Sequence, residues 1–139
     1  MEHPFIYTGW FTDPAVLYDA VRGIRTDPLE REIAHPHITS VFRPQQVDRS
    51  LFGLPIKIRM IAYGNDGSNE GVLVQAASDD ARMTRLLSQI AVPHITLAVS
   101  ADGKPVNTGK LTFRQIEPIE IIGIYGGFSQ NGEVIITPQ

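Results

Sequence analysis

Short blocks of apolar and β-branched residues, broken by proline, glycine and acidic turns, make up most of this chain. Residues 5–11, FIYTGWF, are aromatic and β-branched and predict a strand. In the next stretch, TDPAVLYDAVRG, Thr12 or Asp13 can cap a helix, Pro14 suits its first turn and Gly23 can end it. Residues 37–42, HITSVF, read as a strand. Residues 55–64 set Ile56, Ile58 and Met60 against Lys57 and Arg59, the two-residue period of a half-buried strand. NDGSNEG then supplies turn residues, and GVLVQAA is expected to pair back on the preceding strand. SDDARMTRLLSQIA, started by Ser78 or Asp79, places Met83, Leu86, Leu87 and Ile90 on one helical face. HITLAVS is again strand-like. Beyond the loop ADGKPVNTG, the segments KLTF, IEPIEIIGIYGGF and EVIITP are expected strands, the last two joined at Asn131–Gly132.

One tetrapeptide stands out in this pattern. PHIT occurs at residues 36–39 and again at 93–96. Each copy opens a strand that follows a strand and a helix. The helix starts FTDPA and ASDDA lie 66 residues apart, whereas the two PHIT motifs lie 57 apart. The difference falls in the loop RTDPLEREI, where changes of length are tolerated. The order predicts a diverged duplication. The expected fold is a single α+β domain over residues 1–139, made of two pseudo-symmetric lobes, with two antiparallel sheets around a central cleft and helices outside.

Composition narrows the function. A chain of 139 residues suits one domain with a real core. Its 42% apolar and 19% charged residues are ordinary for a globular protein. No apolar run approaches a membrane span, and MEHPFIYTGW lacks a signal peptide's features, so a cytoplasmic protein that does not engage membranes is expected. The absence of cysteine removes disulfides, thiolate nucleophiles and Cys-ligated metals. With a net charge of −3 and scattered basic residues, tight binding to long nucleic acid is not expected. A small anionic ligand is compatible.

Side chains two apart on a strand share a face, so His37 and Thr39 point one way and Ile38 the other. His94 and Thr96 repeat the arrangement, with Ile95, Leu97 and Val99 forming the apolar back face. A pseudo-twofold relation would bring two imidazoles and two hydroxyls into one cleft. That set suits phosphoryl transfer without a metal: a neutral ring takes a proton, a protonated ring gives one, and hydroxyls hold the phosphate oxygens. The paired His-x-Thr motifs, each opening an apolar strand, resemble the signature of the two-histidine (2H) phosphoesterases. The resemblance implies cleavage of a cyclic phosphate or particular phosphodiester. Substrates in that family include RNA ends bearing 2′,3′-cyclic phosphates, 2′–5′ linkages, ADP-ribose cyclic phosphate and cyclic oligonucleotides. It also implies no cofactor, with His37 and His94 as the acid–base pair and Thr39 and Thr96 on the phosphate. The short spacing between motifs favours a small or terminal substrate over a large RNA-binding lobe.

Other residues carry alternative readings. Tyr7 and Tyr125 are the leading candidates to stack on a nucleobase, ahead of Trp10, Tyr63 and Phe128, which suit a core or rim. Lys57, Arg59, Lys104 and Lys110 read as solvated charges rather than phosphate clamps. Asn65, Asp66 and Asn69 fit turn chemistry, with a ligand contact at a cleft edge as the alternative. A rival site joins His35, His37 and His94 as three metal ligands, although Pro36 can turn His35 aside and Val92 replaces a fourth histidine. A second rival keeps the cleft only to bind nucleotides, without turnover.

Overall fold

Both predicted helices and most of the predicted strands form, over residues 4–138, which the computed structural model describes. In chain order the strands are β1 (Phe5–Thr12), β2 (Arg31–Glu32), β3 (His37–Phe42), β4 (Pro55–Asn65), β5 (Asn69–Ala76), β6 (His94–Val99), β7 (Arg114–Ser129) and β8 (Val134–Ile135). Two α-helices, α1 (Pro14–Val21) and α2 (Ala81–Ser88), follow β1 and β5. Asp13 caps α1 by accepting from the Ala15 and Val16 amides, and Asp80 caps α2 by accepting from those of Arg82 and Met83. The second cap thus lies beyond the expected Ser78 or Asp79. The Ser78 hydroxyl instead accepts the Asp80 amide.

All the strands belong to one antiparallel sheet, ordered β2-β6-β5-β4-β7-β1-β3, with β8 pairing on β7. The fold is therefore α+β and mostly sheet, and the expected division into two sheets is corrected. The reason is β7. Its 16 residues pair with β4 along one edge and with β1 along the other, so hydrogen bonding runs unbroken across both halves. Pro118, which cannot donate to a ladder, sits where the β4–β7 register shifts between Met60 and Ala62. KLTF is not a strand. Pro105–Lys110 winds into a 3₁₀ turn that packs over β6, and β7 begins only at Arg114. The short β2, inside a predicted loop, pairs with Ala98 and Val99 of β6.

One face of the sheet carries the core. Trp10, Ile38, Ile58, Val72 and Ile95 pack there with Leu17 and Val21 of α1 and Met83 and Leu87 of α2. Trp10 is fully buried, and its indole N–H donates to the Met83 sulfur at 3.4 Å. The sheet curls so that Cα atoms of β3 and β6 come within 8 Å of each other, although they lie far apart along the hydrogen-bonded order.

A buried ion pair anchors the segment that leads into β3. The Glu70 carboxylate is wholly inaccessible and accepts from Arg25 Nε and Nη2, both at 2.7 Å, from the Tyr63 hydroxyl at 2.7 Å and from the Leu29 amide at 3.1 Å. Burial pushes its pKa up, but the bonds from Arg25, Tyr63 and Leu29 outweigh that and hold it below the usual carboxylate range. Arg25 also reaches Glu32, and the Ile33 amide donates to the Leu97 carbonyl, so residues 25–33 lie fixed along β5 and β6.

Candidate active site

The two His-x-Thr motifs meet on the face of the sheet away from the helices. There, a cavity of about 510 Å³ is lined by Tyr7, Ile33, His37, Thr39, Phe42, His94, Thr96, Pro105 and Val106. Its volume is that of a small-molecule site. No lysine, arginine, aspartate or glutamate is among these lining residues, so two imidazoles and two threonine hydroxyls supply its polar chemistry beside the Tyr7 phenol.

Each motif is built the same way. His37 Nδ1 lies 2.8 Å from the His35 carbonyl, and His94 Nδ1 lies 2.8 Å from the Val92 carbonyl. A carbonyl only accepts, so each Nδ1 carries the proton and each neutral ring keeps its Nε2 lone pair for the cleft. Opposite the motif threonines stand glycines: Gly9 pairs with Thr39 and Gly71 with Thr96. In both pairings the register shifts immediately before the glycine. A β-carbon at Gly9 would strike the Ile38 carbonyl oxygen, and one at Gly71 that of Ile95. The close approach of the strands at these points requires glycine.

The two rings differ in their surroundings. His37 stacks on Tyr7 with centroids 4.4 Å apart, and Tyr7 stacks in turn on Phe128 at 5.3 Å. Phe11 tilts against His37 from another side. Burial holds the His37 pKa below the usual histidine value; the bond to the His35 carbonyl opposes the shift, and the charge of a protonated His94 adds to it. Burial likewise raises the Tyr7 phenol, which stays neutral. His94 instead lies beside Gly109, across the cavity from this aromatic column.

The hydroxyls differ as well. The Thr96 oxygen lies 2.8 Å from that of Thr108, a fully buried residue that sequence reasoning did not single out. Among the described residues none is hydrogen-bonded to the Thr39 hydroxyl, which faces the cavity.

Of the other expected residues, Tyr7 does line the site, but Tyr125 does not. Tyr125 pairs with Trp10 on the opposite face and packs against Trp10 and Phe52 in the core. Tyr63 is buried on Glu70, and Phe128 contributes only through Tyr7. Lys57 is exposed and Arg59 pairs with Glu120 at the surface; neither they nor Lys104 and Lys110 line the cavity. Asn65 donates to the Thr26 carbonyl and Asp66 accepts from the Ser68 amide, so both are spent on backbone groups. The exposed His35 contributes its carbonyl, while its ring lies 6.1 Å from that of Phe128. Among the described residues no three histidine, aspartate or glutamate side chains gather as metal ligands, so His35, His37 and His94 do not form the rival site. Among them, too, no helix is long and apolar enough to cross a membrane. Comparison of the chain with models of known protein families and with characterised proteins found no match.

Proposed function

We propose that this chain is a two-histidine phosphoesterase that hydrolyses a cyclic phosphate or phosphodiester of a nucleotide without a metal. One observation carries the reading: two His-x-Thr motifs with the same tautomer-fixing carbonyl bond line one cavity whose lining includes no other acid–base group able to act near neutrality. The matched glycines, register shifts and aspartate caps support descent of the two halves from one ancestral unit.

In this mechanism the phosphorus sits between the rings, and the threonine hydroxyls hydrogen-bond its non-bridging oxygens. His37, kept neutral by burial beneath Tyr7, takes a proton from the attacking water through Nε2. His94, protonated, delivers a proton to the leaving ribose oxygen. Ring opening of a 2′,3′-cyclic phosphate leaves a phosphomonoester and reverses the two protonation states, which solvent exchange restores. Apolar side chains of Ile33, Phe42, Pro105 and Val106 offer walls for the base and sugar. The purified chain, assayed with EDTA against 2′,3′-cyclic mononucleotides, RNA ends bearing that group, 2′–5′ dimers and cyclic dinucleotides, should open at least one class. Binding without turnover across all of them would favour the nucleotide-binding module instead.

A further inference from the structure

We propose that Thr108, oriented by Asn69, is a positioning residue that turns the Thr96 hydroxyl proton into the cleft. The proposal rests on the phosphoesterase reading for its kinetic consequence, and on hydrogen-bond accounting for its geometry.

Asn69 is almost wholly buried, and its side-chain nitrogen lies 2.6 Å from the Lys104 carbonyl and 3.0 Å from Thr108 Oγ1. The carbonyl can only accept, which fixes the amide orientation: nitrogen, not oxygen, faces this corner. The Thr108 oxygen therefore receives one proton from Asn69. Its own proton must then find an acceptor, because Thr108 is fully buried and a buried hydroxyl left without one is disfavoured. Among the described residues the acceptor at hand is Thr96 Oγ1, 2.8 Å away. The chain of donation thus runs from Asn69 to Thr108 to Thr96. With its lone pair engaged from behind, the Thr96 hydroxyl is free to send its proton forward to a phosphate oxygen. Among the described residues, apart from Thr108 itself, its alternative acceptor is the Pro105 carbonyl at a long 3.4 Å. The opposite direction, Thr96 donating to Thr108, would strand the Thr108 proton and turn the Thr96 lone pairs toward an anion.

The packing around this relay is purpose-built. Gly71 lies opposite Thr96, and a β-carbon there would collide with the Thr108 methyl group as well as with the Ile95 carbonyl. The 3₁₀ turn that carries Thr108 also carries Pro105 and Val106, which line the cavity, so one segment sets both the wall and the hydroxyl. Thr39 has no such partner among the described residues, so the relay belongs to the second motif alone.

Two measurements test it. Thr108→Val keeps the shape and removes the hydroxyl; it should lower kcat/KM on the cyclic phosphate by about tenfold, less than the ~10²–10³-fold of removing an aimed donor outright, because Thr96 itself stays. Thr108→Ser should restore most of that rate. In a Thr96→Ala background the same valine change should cost no more than about twofold, because coupled groups are not additive. Equal losses in both backgrounds would assign Thr108 a merely structural role and overturn the relay. Neutron diffraction of the deuterated wild-type protein reads the direction without any turnover. A deuteron on Thr108 Oγ1 directed at Thr96 is expected, and one on Thr96 directed at Thr108 would refute the proposal. A wild-type enzyme inactive on every cyclic phosphate, with the expected deuteron in place, would fault the phosphoesterase reading and leave the relay standing.

Discussion

Removing Arg25 should weaken the fold more than any surface change. The guanidinium makes two bonds of 2.7 Å to a carboxylate that water does not reach, and a third to the half-exposed Glu32. Arg25→Ala leaves Glu70 with the Tyr63 hydroxyl and the Leu29 amide but without the cation bonded to it. Two charge-assisted bonds are each worth about 1.5–3 kcal/mol, and breaking a buried pair from one side typically costs ~3–5 kcal/mol. The Glu32 contact adds under about 1 kcal/mol. A loss of about 4 kcal/mol follows, which is a large part of the ~5–15 kcal/mol that holds most domains together. Urea unfolding at neutral pH measures it: with a slope near ~2 kcal/mol per molar, the midpoint should fall by about 2 M. The pair Arg25→Met with Glu70→Leu should recover most of the loss, since it removes both charges together. The pH dependence has a defined sign. Glu70's native pKa lies below its unfolded value, so its contribution is complete above the unfolded carboxylate pKa and is lost as pH falls through the native one. A loss of less than about 1 kcal/mol for Arg25→Ala, or a double variant no better than the single one, would refute the argument.

Three further outcomes are expected. Alanine at His37 or at His94 should reduce turnover of a cyclic phosphate by about 10²–10⁴-fold while leaving the unfolding midpoint nearly unchanged. The acidic limb of the pH–rate profile should lie below the ordinary histidine value near ~6.5, because the base must be neutral and burial lowers the pKa of His37; Tyr7→Ala, which uncovers the ring, should move that limb to higher pH, and an unmoved limb would show that Tyr7 does not control it. Gly9→Ala and Gly71→Ala should each distort the pairing beneath one motif threonine and lower both stability and kcat/KM, as differential scanning calorimetry and initial rates would reveal.

The local elements were legible because each announces itself within a few residues. The strands His37–Phe42 and His94–Val99 begin at their histidines as the pattern predicts, and the two-residue spacing puts each ring on the face of its threonine. What failed were statements that depend on register between distant strands. Tyr125 belongs to the core because its backbone pairs with Trp10, and nothing near Tyr125 in the chain encodes that partner. The single sheet was hidden for the same reason. The strand expected over residues 116–128 runs through Pro118, and the shift in register opposite it accommodates the missing donor. Thr108 sits in a stretch with no period and ordinary turn composition; Asn69 was visible as a turn residue, yet its inward direction follows only from the meeting of β5 with the 3₁₀ turn.

The approach of β3 to β6 has a mechanical consequence. Five strand-to-strand steps separate them along the order β6-β5-β4-β7-β1-β3, and each step adds its own twist, typically ~20–25°. The gap between the imidazoles is thus the opening of a split ring, and its width sums the curvature of the whole hoop. A small change of twist at one joint, such as the irregular pairing of β4 with β7, would be carried around toward the opening. A ligand held by both histidines would act as a clasp across that opening. Its binding should slow amide exchange in β4 and β7, on the far side of the ring, as well as beside the cleft.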